Sequence, residues 1–267
     1  MGRNTVALGL STLFIEKEKK GFDSVFQLLS SSYTEQVGFF EIVDDGALKL
    51  SKNQAKRLRE FYETGTRFTL HSRYDGINIA SIDKVRRKAS LRAIIDSVDF
   101  AEYIGAINVV VHSGAVEFGE THTLCSTYNI ESLLEIKDYS TSRDIRIAVE
   151  NDTPNPSALL IRPDDFKKLF KEHGVKLPLV LDIGHANMSR TIDEYVNTMA
   201  DAIVEVHLHD NDGTYDGHLE MGKGNVDFKK ITPLFFRPST LFVVESVEGP
   251  FKSFDRLISL RKEALSL

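Results

Sequence analysis

One pattern governs what this chain can fold into: a short, apolar, β-branched run, then a loop, then an amphipathic stretch, repeated from end to end. The runs are Thr5–Leu10, Val37–Val43, Arg67–His71, Ile107–His112, Ile145–Glu150, Leu177–Asp182, Ile203–His207 and Leu241–Glu245. They are apolar nearly throughout rather than alternating, as strands are when both faces of a parallel sheet are covered. Between them, Ser51–Glu63 collects Leu58, Phe61 and Tyr62 on one side, and Ser81–Ile104 spaces Val85, Ala89, Ala93, Ile94, Val98 and Ala101 near the helical period. Asp164–His173 stops at Gly174, and Asp255–Leu265 carries Leu257, Ile258 and Leu260. Ser81 and Asp83 suit a helix start and Gly174 a helix stop. Eight strands alternating with about eight helices predict an α/β fold closed into a (β/α)8 TIM barrel. An open doubly wound sheet would leave edges to protect, and would usually carry a Gly-rich phosphate loop after its first strand. Only Gly9-Leu10-Ser11 stands there. With no composition shift or long linker, residues 1–267 are expected to form a single domain.

The ends of these runs carry chemistry. The third run ends at His71, the fourth at His112, the fifth at Glu150, the sixth at Asp182, the seventh at His207 and the eighth at Glu245. His, Asp and Glu together are about one residue in six, so six consecutive endings of this kind are not a consequence of composition. Taken singly, a polar residue after a strand starts a loop or caps a helix. Taken together, six of them converge on one mouth, because a closed parallel barrel brings all its C-terminal strand ends to one face. Carboxylates this close repel unless cations lie between them. Imidazole and carboxylate donors without thiolate suit Zn2+, with Mn2+ as an alternative.

Two loops add donors. His185 follows Asp182 by three residues, and the Gly-rich stretch after His207 holds Asp216-Gly217-His218. His209 and Asp210 are placed to orient a ligating imidazole. Glu205, two residues before His207, shares its face of the strand without an evident role. His122 and His173 fall in helices away from the strand ends.

Composition bounds the partners. The net charge is −6, from 33 Lys+Arg against 39 Asp+Glu, and Cys125 is the one cysteine. That excludes a disulfide framework and a Cys-based zinc site, and it lacks the basic footprint of a nucleic-acid binder, although bound cations would offset several charges. The Val6–Leu10 run is too short for a signal-peptide core and no stretch approaches a membrane span, so the expected location is the cytoplasm, with no membrane partner. No nucleotide or organic cofactor motif is present.

Leu70-His71-Ser72, Val111-His112-Ser113-Gly114, Val149-Glu150-Asn151, Leu181-Asp182-x-x-His185, His207-Leu208-His209-Asp210, Asp216-x-His218 and Val244-Glu245 resemble the endonuclease IV and xylose isomerase-like superfamily from the third strand to the eighth. The endonuclease branch, a group of DNA-repair hydrolases, cuts the phosphodiester beside an abasic site with three zinc ions. The resemblance implies a first zinc on His71, His112 and Glu150. It implies a second on bridging Glu150 with Asp182, His207 and Glu245, and a third on His185, Asp216 and His218. The sugar branch implies instead one metal on Glu150, Asp182, His207 and Glu245, with Glu150 and Glu245 moving a proton and His185 contacting the substrate. Two departures bear on the choice. The branch's Asp-Ser/Thr-Cys-His motif is here Asp182-Ile183-Gly184-His185, and the loop after the second strand reads Val43-Asp44-Asp45-Gly46, acidic where the endonucleases enter DNA. Arg73-Tyr74 remains a candidate for stacking on a nucleic acid.

The expected function is therefore metal-dependent phosphodiester hydrolysis on a site of two or three zinc ions, with Glu150, Glu245 and His185 catalytic. The alternative is a sugar or sugar-phosphate isomerase or epimerase, and a non-catalytic metal-binding protein is a third class. The substrate is accordingly abasic-site DNA or a small phosphorylated or sugar molecule.

Overall fold

A computed structural model describes residues 7–174 and 176–266. Residues 1–6, including the first two positions of the expected strand Thr5–Leu10, lie outside the described part. Eight parallel strands close in sequence order: β1 (Ala7–Ser11), β2 (Phe39–Val43), β3 (Phe68–His71), β4 (Asn108–Val111), β5 (Arg146–Glu150), β6 (Leu179–Asp182), β7 (Ile203–Leu208) and β8 (Leu241–Val244). The ring is closed by β8 against β1, with Leu241 to Val244 beside Ala7 to Leu10. The fold is the expected TIM barrel. Differences from the expected runs are a residue or two at the ends; His112 and Glu245, for example, stand just past their strands.

Alternation along each strand divides the side chains between two layers. Leu70, Val109, Val111, Val149, Leu181, Val206 and Val244 join the main apolar layer between strands and helices. Helices reach that layer through the apolar stripes visible in the sequence; Leu58 of the helix Lys52–Glu63 is wholly buried there, a burial that contributes about 1.5–3 kcal/mol. The opposite faces fill the lumen in smaller apolar patches, Phe39 with Leu241 and Val243, and Val110 with Ala148 and Val180. Gly9 makes room for the first patch, since a Cβ there would run into the Phe39 ring.

Helix ends follow local chemistry. Asp83 caps Lys84–Ile104 by accepting from the Val85 N–H at 2.8 Å, and Gly105, at φ 73°, ends that helix in the left-handed conformation. Gly174 ends Pro163–His173 in the same way, at φ 64°.

One irregularity positions the mouth. Leu179 pairs with Ile203 but Val180 pairs with Glu205, so β7 carries one extra residue, Val204. Such a bulge reverses the inside–outside phase of the strand beyond it. Ile203 faces the helix layer, whereas Glu205 and His207 face the lumen, with His207 in register with Asp182. No helix among the described residues is long and apolar enough to cross a membrane.

Candidate metal centre

The strand-end residues do meet at one mouth. Glu150 lies at the centre: its Oε2 is 3.4 Å from Nε2 of His71 and 3.3 Å from Nε2 of His112, while its Oε1 is 3.4 Å from Nδ1 of His207. His207 Nδ1 is also 3.2 Å from Glu245 Oε2. His71, His112 and Glu150 form one group with donor atoms within 4.8 Å of one another, and Glu150, Asp182, His207 and Glu245 form a second. Glu150 belongs to both.

The third expected group is rearranged. Asp216 Oδ2 sits 3.3 Å from Nε2 of His185 and 3.3 Å from Nε2 of His218. His209 stands among them rather than behind: its Nε2 is 3.2 Å from Asp182 Oδ2 and 3.4 Å from Asp216 Oδ1, and its ring stacks on His218 with centroids 3.9 Å apart. The tight groups are thus Asp182, His185 and His209, and His209, Asp216 and His218. His185 is held by the turn that starts the helix Ile183–Ser189, where Asp182 Oδ1 accepts its N–H at 2.7 Å.

Around Glu150 and Glu245 the facing groups are imidazole rings. Burial alone would lower the pKa of His71, but Glu150 beside it wins and holds it up at about 9. Burial pushes His112 down to about 4, helped by the neighbouring His71. Burial would raise Glu150 and Glu245, yet the facing imidazoles hold both low. Divalent cations fit this donor set, because Glu150 Oε2, His207 Nδ1, Asp216 Oδ1 and Glu245 Oε1 are buried without a hydrogen-bond partner among the described residues. Such atoms are costly to bury unless something binds them. The carboxylate and imidazole donors suit zinc or manganese. Above the mouth opens a cavity of about 520 Å3, lined by Lys17, Tyr74, Ser113, Asp152, Asn155 and Tyr215 among others.

A family model described as a xylose isomerase-like TIM barrel matches residues 34–246. The chain belongs to that family. Within it, the chain is 27% identical to an uncharacterised protein of Methanocaldococcus jannaschii, over 97% of this chain and 99% of the other. It is 26% identical to a probable endonuclease 4 of Streptomyces avermitilis, over 65% of this chain and 62% of that one. Among solved structures, a D-tagatose 3-epimerase-like protein superposes with TM-score 0.87 at 24% identity, covering 98% and 99% of the two chains. A protein of Thermus thermophilus soaked with ZnCl2 does so with TM-score 0.73 at 25% identity, covering 97% and 98%.

Several features expected to discriminate within the family turn out to be internal. Asp44 is fully buried, accepting from Leu50 N at 2.6 Å and Ser97 Oγ at 2.6 Å, with Arg73 Nε at 3.3 Å. Asp45 Oδ2 accepts the N–H groups of Tyr74 and Asp75 at 3.0 and 2.7 Å. The acidic loop therefore organises backbone, and Arg73 is turned inward onto Asp44. Tyr74 alone reaches the cavity, edge-on to His71 with centroids 5.3 Å apart. The Asp210 carboxylate accepts the N–H groups of Asn211, Gly222 and Val226 and shapes the Gly-rich loop, and it is the Asp210 backbone carbonyl, 3.5 Å from Nδ1, that meets the His209 imidazole.

Gly184 has a structural reason. A Cβ there would collide with the His209 ring, so the space that a larger residue would fill belongs to His209. Gly184→Ala is expected to cost about 1–3 kcal/mol through overpacking and to push His209 away from Asp182. Urea unfolding of the metal-free protein checks this, and unchanged stability would refute it.

Sequence reasoning missed Glu41. It lies in mid-run in β2, is fully buried, and its Oε2 is 3.2 Å from His207 Nε2. The signal was a lone carboxylate inside Phe39-Phe40-Glu41-Ile42-Val43. Glu205, which had no evident role, accepts from Asn108 Nδ2 at 2.6 Å and Thr69 Oγ1 at 3.4 Å in the lumen.

Proposed function

We propose that this protein is a single-domain, divalent-metal-dependent phosphoester hydrolase of the endonuclease IV type, working on a multinuclear zinc site. The observation that carries this reading is the sharing of ligands: Glu150 faces His71 and His112 with one oxygen and His207 with the other. Donors for one metal would not need His71, His112, Asp216 and His218 as well. When bound, zinc supplies Lewis-acid charge at the scissile phosphate. His71, His112 and Glu150 would hold one ion, Glu150, Asp182, His207 and Glu245 a second, and Asp216 and His218 a third with His185 or His209. Glu245 and Glu150 would accept the proton of the attacking water, and His185 would act from beside Asp216, 3.3 Å away.

A second reading, a sugar or sugar-phosphate isomerase or epimerase, is favoured by one observation: the cavity of about 520 Å3 has the size of a small-molecule site. In that case the carboxylates of Glu150 and Glu245 would relay a proton at carbons next to a carbonyl. The test is metal stoichiometry by mass spectrometry on the purified protein, with turnover measured on an abasic-site oligonucleotide, small phosphodiesters and ketose/aldose pairs. Two or three metals with phosphodiester cleavage support the hydrolase. One metal with ketose interconversion and no cleavage would replace it by the second reading.

A further inference from the structure

We infer that Glu41 is a positioning residue: its carboxylate lies at the Nε2 edge of His207 to accept that N–H when the ring's Nδ1 serves a metal together with Glu150 and Glu245. The inference rests on the metal-site reading and is indifferent to which reaction the metals serve. His207 is fully buried, and its two nitrogens point in opposite directions: Nδ1 lies 3.4 Å from Glu150 Oε1 and 3.2 Å from Glu245 Oε2, Nε2 3.2 Å from Glu41 Oε2. Glu41 comes from β2, three strands round the ring from β7, so the contact crosses the lumen and is not a by-product of strand pairing.

Neither carboxylate oxygen of Glu41 has a hydrogen-bond partner among the described residues. The pair is at ion-pair distance without the alignment of a hydrogen bond. A buried carboxylate in this state is unfavourable for folding, and apolar replacements of such groups are often neutral or stabilising. Its neighbour Glu205 differs in kind, because Asn108 and Thr69 satisfy it. Glu41 therefore makes sense toward a ring that is called on from its other side. A ligating imidazole characteristically donates its second N–H to a carboxylate, which fixes tautomer and orientation. Glu41, Glu205 and His207 also lie close enough to hold a cation of their own. However, a cation on Nε2 together with one on Nδ1 would require stripping both ring protons, so hydrogen bonding is the better use of that nitrogen.

The experiment compares wild type, Glu41→Gln, Glu41→Asp and Glu205→Gln for Zn2+ affinity by chelator competition, Zn2+ per chain at saturation, and thermal stability without metal. Glu41→Gln is expected to lower affinity for the tightest-bound ion about 10- to 100-fold, with the saturating count unchanged and the metal-free protein no less stable. Glu41→Asp should recover part of the affinity, and Glu205→Gln, the same substitution at the neighbouring lumen carboxyl, should change it far less. Unchanged affinity in Glu41→Gln overturns the inference. So does loss of one equivalent at saturation, which would make Glu41 a ligand, or a parallel fall in metal-free stability, which would make it structural. Equal weakening by Glu205→Gln would reduce the effect to general charge and overturn it as well. A wild type that takes up no divalent metal overturns both this inference and the metal-site reading, whereas metal uptake with an indifferent Glu41→Gln overturns this one alone.

Discussion

Glu150→Gln is expected to leave the chain folded but short of metal, with turnover down by about 10²–10³-fold or more, the scale seen when one preorganised electrostatic stabiliser is removed. The reason is geometric. One carboxylate oxygen serves the His71 and His112 side and the other the His207 side, so in the proposed site a single charge would neutralise part of two cations at once. The amide keeps the shape, brings no charge, and turns an N–H2 group toward ring nitrogens that need an acceptor or a metal. Metal per chain by mass spectrometry and turnover on the preferred substrate measure the two effects separately. Full metal content in the variant would refute the bridge, whatever happened to the rate.

The double change Asp216→Ala, His218→Ala separates the hydrolase from the isomerase. Asp216 gathers His185 and His218 at 3.3 Å each, while the central group of Glu150, Asp182, His207 and Glu245 makes no use of either changed residue. In a hydrolase with a third ion, the variant should lose about one metal equivalent and phosphodiester cleavage should fall by orders of magnitude. In an isomerase, the metal count should hold and substrate affinity should suffer most. Unchanged metal together with unchanged cleavage would remove the case for the third ion.

The fold was legible because strand and helix periods leave marks that survive averaging over a run, and eight runs in order admit few closures. The mouth was legible for a related reason: polar side chains at strand ends sit where apolar sequence stops, so His71, Glu150 and Asp182 stand out against their neighbours. Glu41 did not, because it sits inside an apolar run, where only the three-dimensional crossing of the lumen shows what it faces. Nor did the bulge at Val204, which depends on pairing with β6. The burial of Asp44 and Asp45 was not legible because one-dimensional sequence carries no exposure: backbone N–H groups engage both carboxylates, and Arg73 engages Asp44. The approach of His209 to Asp182 and Asp216 was not legible either, since it turns on the small gap that Gly184 leaves for its ring.

Closure of β8 onto β1 has a consequence for the order of events during synthesis. Donors accumulate along the chain from His71 to His218, but the central group is completed by Glu245, directly after β8, and that strand pairs with β1 at Ala7 to Leu10. A nascent chain emerging from a ribosome would therefore carry most of the donors while lacking the closed ring that aligns them. Any metal that needs Glu245 would thus be bound only by a chain whose eighth strand has emerged, and a premature stop before Leu241 would yield a product with seven strands, open edges and an incomplete mouth.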